Sequence, residues 1–486
     1  MISPSCETIE RLAKEYNTIP VCKEIYADII TPIMLLRKLA QQGQRYFLLE
    51  SVEGGEKWAR YSFLGVDPVM RLTCRNGTVR IEAKESKTLH TDRPLDVLRG
   101  VLSAFCAPKL PQMPPFTGGF VGYFSYAMIG YAEPVLKLKK ESGYDFDLML
   151  FDKVIAYDHL KQKICVIANM KNDRVMENYG KAVSEIEKIV RLIRDPRPLP
   201  SLHADEKPEF TCNVTKEQFC AMVEKTKHHI REGDIFQAVL SRRFESAYSR
   251  SLIGAYRVLR TTNPSPYMVY MHIDDTEIIS TSPETLVRLQ NGRLSTFPVA
   301  GSRPRGTTEQ QDIALEAELL SDEKELAEHN MLVDLARNDL GKIAEVGSVR
   351  VRDYMMIHRY SRIMHIASCV EADLHEGCDA LDAIEAILPA GTLSGAPKIR
   401  ACEIIDELEP SPRGIYGGAL GYIDFSGNLD TCIAIRMAVK HQGRVYVQAG
   451  SGIVADSVPE REYEESANKA GAVISAIMGA REVEDE

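Results

Sequence analysis

The chain has 486 residues, 44% of them hydrophobic and 26% charged, with a formal net charge of −10. That balance suits a globular protein with ample chain for a large core, in two or three subregions, and the negative excess argues against a general nucleic-acid binder. No apolar run approaches a membrane span, residues 1–30 lack a signal-peptide pattern, and the eleven cysteines form no Cys-x-x-Cys pair, which leaves reduced thiols in a cytoplasm as the expectation.

Residues 1–46 read as helical in style, with a helix entered near Pro32. Tyr46–Ser51 reads as a buried strand ending in two polar groups, and the loop after it holds the single tryptophan, Trp58. Glu50 and Ser51 have two readings: a capped turn, or a carboxylate and hydroxyl holding the ammonium of a small amino acid. Residues 66–92 alternate as short strands around Asn76-Gly77, a type I′ hairpin signal. Residues 95–107 are helical. Thr117–Tyr126 is a glycine- and aromatic-rich strand with no helix pattern after it, so its glycines suit close strand packing better than a dinucleotide. The stretch from Asp147 to Met170 reads as two strands, and residues 172–195 as a charged amphipathic helix. The segment RDPRPLPSLHADEKPEF, rich in proline and charge, is the best linker and divides an N-terminal region, 1–205, from a larger part, 206–486.

The second part opens with a helix from Thr215 to Glu232, where His228 and His229 suit the helix dipole. Gly233 stops it, and a strand follows with Gln237 as an inward candidate. Asn263–Met268 is a rigid turn entering a strand, and Ser280–Glu284 is a strand-end turn. Gly301–Gly306 reads as a glycine- and arginine-containing turn offering N–H groups and positive charge to an anion. Glu325 and Glu328 lie three apart on the next helix and point the same way, beside a stripe of Met331, Leu332, Leu335 and Ala336. Glu462 and Glu465 repeat that spacing downstream. Either pair alone is ordinary decoration of a solvated helix. Bordering an apolar stripe, the carboxylates need a partner, and two such helices could close on one hard cation, Mg²⁺.

His365 sits among apolar neighbours, as a core histidine would. Leu388–Lys398 is a loop of small residues opening a helix, and Tyr416–Tyr422 repeats the glycine–aromatic style of the earlier strand. Arg436 stands in an apparently apolar strand, which demands an anion and makes a substrate carboxylate a candidate.

FPVAGSRPRG, EKELAEHNMLVDLARNDLG, LPAGTLSGAPKIRACEIIDELE, YGGALGYIDFSGNLDTCIAIR and GSGIVADSVPEREYEESANKA, in this order, resemble the chorismate-utilising enzymes over roughly residues 210–480. Within that family three features resemble the branch that aminates chorismate at C2. Ala300 stands where 4-amino-4-deoxychorismate synthases carry a lysine, and Gln237 where isochorismate and salicylate synthases have one that activates water. LLES and NPSPYM resemble tryptophan-binding segments. Departures are Ser302 for threonine, Ser451 for alanine and Ser280 for glycine. A 4-amino-4-deoxychorismate synthase and a non-catalytic tryptophan sensor are the alternatives.

The resemblance implies an α/β (α+β) fold of two orthogonally packed sheets with helices outside. It implies that Glu328 and Glu465 bind Mg²⁺ while Glu325 and Glu462 hold its waters, and that Glu328, Glu465, His365 and Thr392 are catalytic. Tyr416 and Arg436 would clamp the enolpyruvyl carboxylate. Gly301, Ser302, Gly450, Ser451, Gly452 and Lys469 would complete the substrate contacts, and Glu50, Ser51, Pro266, Tyr267 and Met268 would bind inhibitory tryptophan. The implied reaction adds ammonia to chorismate and releases pyruvate. No Gly-x-Cys-x-Gly nucleophile turn occurs in the sequence, so ammonia is expected from a separate glutamine amidotransferase subunit, in a heterotetramer, or from solution.

Overall fold

A computed structural model describes residues 2–51, 60–140, 143–202, 207–359 and 363–482. The loop around Trp58, the boundary near residue 205 and part of the RYSRI segment fall outside them. Two antiparallel sheets, of 13 and 12 strands among the described residues, form the frame. Arg45–Glu50 pairs with Tyr267–Ile273 in the first sheet, and Gly119–Phe124 pairs with Ala419–Asp424 in the second. Chain from before and after the proline-rich linker therefore shares both sheets.

Apolar side chains fill the space between the sheets, with Phe47, Val269 and Ile278 from the first meeting Val121, Met149 and Leu420 from the second. Other clusters attach helices to each sheet: Leu259, Val473 and Ile477 on one, Val333, Leu340 and Ile384 on the other. The expected α/β fold of two sheets with outer helices is what forms. Burial of these side chains, each stabilising by about 1.5–3 kcal/mol, is its main support.

The glycine–aromatic strands do pack closely. Gly122 and Gly421 are register partners, and a Cβ would come within 2.0 Å of the Asp147 carbonyl at the first and 2.1 Å of the Asp430 carbonyl at the second. Asn76 and Gly77 turn the hairpin with φ of 48° and 76°, as type I′ requires. Two local readings are corrected. Thr18–Tyr26 is a strand inside the stretch read as helical, and Asp147–Met170 holds three strands, Phe146–Phe151, Lys153–Asp158 and Lys163–Lys171. Short apolar runs carry no period that separates strand from helix, and the first break is a single residue, Asp152.

Cys22 and Cys165, on the paired strands Thr18–Tyr26 and Lys163–Lys171, form a disulfide with Cα atoms 6.2 Å apart. This corrects the expectation of reduced thiols throughout; the other nine cysteines are free. The two positions are 143 residues apart in sequence, and only strand pairing brings them together. Among the described residues no helix is long and apolar enough to cross a membrane.

Candidate active site

Two helices carry the carboxylate pairs. Glu323–Gly341 starts at Asp322, whose side chain accepts from the N–H groups of Lys324 and Glu325. It buries His329, Leu332 and Val333 and leaves Glu325 and Glu328 half-buried. Pro459–Gly479 has proline in its first turn and buries Ser466, Ala470 and Val473. Burial, the neighbouring Glu325 and the facing Glu465 all hold the Glu328 carboxyl above its ordinary value, against Lys324 and Lys469. Glu325 is raised by burial, by Asp322 and also by Glu465, against Arg303 and Lys324. The second helix thus brings Glu465 within electrostatic reach of both glutamates of the first.

Glu462 Oε2 is buried without a hydrogen-bond partner, and Lys469 Nζ lies 2.7 Å from Glu465. The repulsion among Glu325, Glu328 and Glu465 and the orphaned oxygen of Glu462 fit a hard divalent cation that takes oxygen ligands. Among the described residues no three side chains already converge as a metal cage.

Gly301–Gly306 does not form the expected turn. Val299–Pro304 is a strand, bulged between Ala300 and Ser302 where Gly301 takes φ of 73°. Its arginines serve acidic side chains: Arg303 bonds Glu318 and Asp322, and Arg305 bonds Asp312. A Cβ on Gly301 would sit 3.1 Å from Glu325 Oε2, and its carbonyl lies 3.1 Å from His365 Nδ1. Ser302 is the register partner of His365. These contacts bring Gly301, Ser302 and His365 beside the first carboxylate pair.

Burial lowers the His365 imidazole to about 4, helped by nearby Arg436 and His358 and opposed by the Gly301 carbonyl. The ring is neutral at physiological pH. With Nδ1–H donated to Gly301, the lone pair is on Nε2. Arg436 is not in a strand interior: it joins Leu429–Ile433 to Met437–His441 with φ of 45° and is half-buried. That kink breaks the apparently continuous apolar run.

Glu284 is a site residue that the sequence did not single out. Its buried carboxyl is pushed up to about 8 by desolvation, while Thr392, Arg436 and Lys469 pull the other way. Thr392 Oγ1 donates to Glu284 Oε1 at 3.1 Å. A carboxyl after Ser-Pro at a strand end looks like a surface turn in sequence, and nothing local announces its burial. Buried Tyr416 takes a hydrogen bond from the Gly450 N–H and is raised by desolvation. A Cβ on Gly452 would meet Gln237 Nε2 at 2.6 Å. Ser451 is fully buried, and its hydroxyl reaches the Glu462 carbonyl at 3.4 Å.

A family model described as chorismate binding enzyme matches residues 45–475. The chain belongs to the chorismate binding enzymes. It is an enzyme of that family on its full-length relatives as well. Anthranilate synthase component 1 of Acetivibrio thermocellus is 47% identical over 494 residues, covering 99% of this chain and 100% of that protein. The protein of the same name from Aquifex aeolicus is 46% identical over 490 residues, with 99% of each covered. Among solved structures, anthranilate synthase component I from Streptococcus pneumoniae TIGR4 superposes with a TM-score of 0.78 at 36% identity, over 93% of this chain and 99% of that one. The menaquinone-specific isochorismate synthase of Escherichia coli gives 0.71 at 20% identity, over 97% and 98%, and shares the fold.

The residues expected to bind tryptophan form a second locality in this chorismate binding enzyme. Met268 is the register partner of Glu50, so NPSPYM and LLES are neighbours across one strand pair. Glu50 caps no turn. Its buried carboxylate accepts from Arg260 Nε at 2.7 Å, Tyr256 at 2.8 Å and Ser62 at 3.2 Å. Tyr267 donates to Asp430 at 2.8 Å, while Ser51 and Pro266 are half-buried. Arg260 was not foreseen; it lies three residues before NPSPYM on the helix Ile253–Thr262.

Proposed function

We propose that this chain converts chorismate and ammonia to anthranilate and pyruvate through aminodeoxyisochorismate, the first step of tryptophan biosynthesis. The observation that supports the reading is that Arg436, His365 and buried Glu284 lie near the carboxylates Glu325, Glu328 and Glu465. Mg²⁺, on Glu328 and Glu465 with Glu325 and Glu462 holding its waters, would supply positive charge at the ring carboxylate of chorismate.

Arg436 and Tyr416 clamp the enolpyruvyl carboxylate, Arg436 as a bidentate donor. Gly301, Ser302, Gly450, Ser451 and Gly452 supply backbone or hydroxyl contacts, and Lys469 adds charge. As ammonia bonds to C2, the C4 hydroxyl leaves. Glu284, neutral at physiological pH and held by Thr392, is suited to give that hydroxyl its proton, so that it departs as water. In the second half His365 Nε2 takes the C2 proton as the C3–O bond breaks and the ring becomes aromatic; the departing enolpyruvate takes a proton at its methylene carbon, returned by the imidazolium, and becomes pyruvate.

Ammonia comes from a separate glutamine amidotransferase chain, in a heterotetramer. The cytoplasm is the setting, with nine cysteines free and Cys22 and Cys165 bridged. Tryptophan binds at Glu50, Ser51, Pro266, Tyr267 and Met268 and inhibits. The test is turnover of chorismate with ammonium, with and without Mg²⁺ and tryptophan, following anthranilate fluorescence and pyruvate. An aminated product without pyruvate would identify a 4-amino-4-deoxychorismate synthase instead, and no turnover at all would favour a sensor.

A further inference from the structure

One buried charge has no place in that chemistry. Arg242, within the strand Gln237–Ala247, is 2% exposed. Its Nε donates to Ser466 Oγ at 2.9 Å, its Nη2 to the Tyr463 carbonyl at 2.7 Å, and its Nη1 reaches Cys212 Sγ at 3.8 Å. The guanidinium also stacks 3.7 Å from the centroid of the Tyr463 ring, with Phe244 at 4.9 Å and Phe219 at 5.6 Å. No carboxylate is among these contacts. A buried cation without an anion is costly, so what it holds in place matters.

What it holds is the beginning of the helix Pro459–Gly479. Tyr463 lies between Glu462 and Glu465, and Ser466 follows Glu465. Ser466 Oγ donates to the Tyr463 carbonyl at 2.8 Å, so the guanidinium, hydroxyl and carbonyl form a closed set. On the adjacent strand Arg444–Ile453, Ser451 takes the preceding carbonyl, that of Glu462. Two neighbouring strands thus grip consecutive carbonyls. In a helix that turns by about 100° per residue, fixing the faces of Tyr463 and Ser466 also fixes Glu462 and Glu465, each one step away.

We propose that Arg242 is a positioning residue that sets the rotation of this helix and so aims Glu462 and Glu465 at Glu325 and Glu328. The inference rests on the carboxylate-pair reading above. A hydrophobic residue could fill the same space, but only a planar fork with a stacked face fixes two acceptors and a ring at once.

Arg242→Lys keeps the charge and loses the fork. The full chain is titrated with Mn²⁺ in the presence of chorismate and absence of ammonia, read by electron paramagnetic resonance. Mn²⁺ affinity is expected to fall about tenfold, in the range seen when groups that orient metal ligands are removed, and excess metal should restore most of kcat. A lower melting temperature with unchanged Mn²⁺ affinity would make Arg242 merely structural and overturn the proposal. Ser466→Ala removes the acceptor of Arg242 Nε and the donor to the Tyr463 carbonyl, and serves if the lysine variant does not fold; it should weaken Mn²⁺ at least about threefold, from the loss of these two hydrogen bonds. Unchanged affinity in folded Ser466→Ala would also overturn the proposal. Glu465→Gln is the control. If it takes up Mn²⁺ as the wild type does, the metal reading itself fails, and the role of Arg242 with it.

Discussion

The hydroxyl of Thr392 donates to the carboxyl of Glu284 at 3.1 Å, joining residues 108 apart in sequence. The contact matters because Glu284 is buried with its carboxyl pushed up to about 8. At neutral pH it is a neutral acid, able to donate a proton.

Turnover at a fixed concentration of free NH₃ should therefore decline as pH rises through about 8, as Glu284 ionises. Glu284→Gln should remove that limb and lower kcat by about 10²–10⁴-fold, the range for loss of a general acid. Stability follows the same sign. The folded value, about 8, lies above the ordinary 4.5, so the native state binds this proton more tightly than the unfolded chain. The contribution is full below pH 4.5 and is lost as pH climbs to 8. Melting temperatures across that window should show a shallower decline in Glu284→Gln. A rate profile identical to wild type would remove Glu284 from the proton-transfer step.

Glu328→Gln and Glu465→Gln each remove one negative ligand from a site whose affinity depends on ligand charge. Each should lower kcat/KM by more than about 100-fold, within the several kcal/mol that a bound metal supplies. Circular dichroism should be unchanged. Near-normal activity of either variant at ordinary Mg²⁺ would sink the metal assignment.

His365→Ala should slow pyruvate release by about 10²-fold or more, the lower end for a general base, and should slow chorismate consumption less. Aminodeoxyisochorismate would then accumulate and be seen by chromatography. Since the ring is neutral at physiological pH, its titration near 4 should leave the wild-type rate at fixed free NH₃ flat between pH 6 and 7, below the Glu284 limb. Equal loss of both rates with no intermediate would exclude His365 from the elimination.

Ser51→Phe would place an aromatic ring one residue beyond Glu50, the register partner of Met268 on the facing strand. The variant should be active and indifferent to tryptophan. In the wild type, chorismate should weaken tryptophan binding by the same factor that tryptophan weakens chorismate binding, because the coupling is reciprocal. Inhibition curves on the variant and calorimetry on the wild type read the two halves of this prediction. Undiminished inhibition of the variant would show that Ser51 does not line the effector site.

The sequence by itself determined the family, because long motifs such as EKELAEHNMLVDLARNDLG and PEREYEESANKA carry composition and spacing that survive without coordinates. It also determined the helices that hold the carboxylate pairs, since i, i+3 spacing puts two glutamates on one face wherever the helix packs. The hairpin at Asn76-Gly77 and close strand packing at the glycines of Thr117–Tyr126 were equally legible, because positive φ and backbone approach depend on the residue itself, whereas the pairing of Gly122 with Gly421 was not. Only the tertiary structure decided which charges are buried and what they meet. Glu284, Arg260 and Arg242 look like surface residues in sequence, yet each lies among groups from distant segments. The arginines of Val299–Pro304 and its following turn looked like anion binders and are held by Asp312, Glu318 and Asp322 instead. Cys22 found Cys165 across a strand pair that no spacing rule describes. Desolvation, ion pairing and disulfide formation depend on distance in space, and a two-sheet fold that repeatedly exchanges strands between its halves separates that distance from distance along the chain.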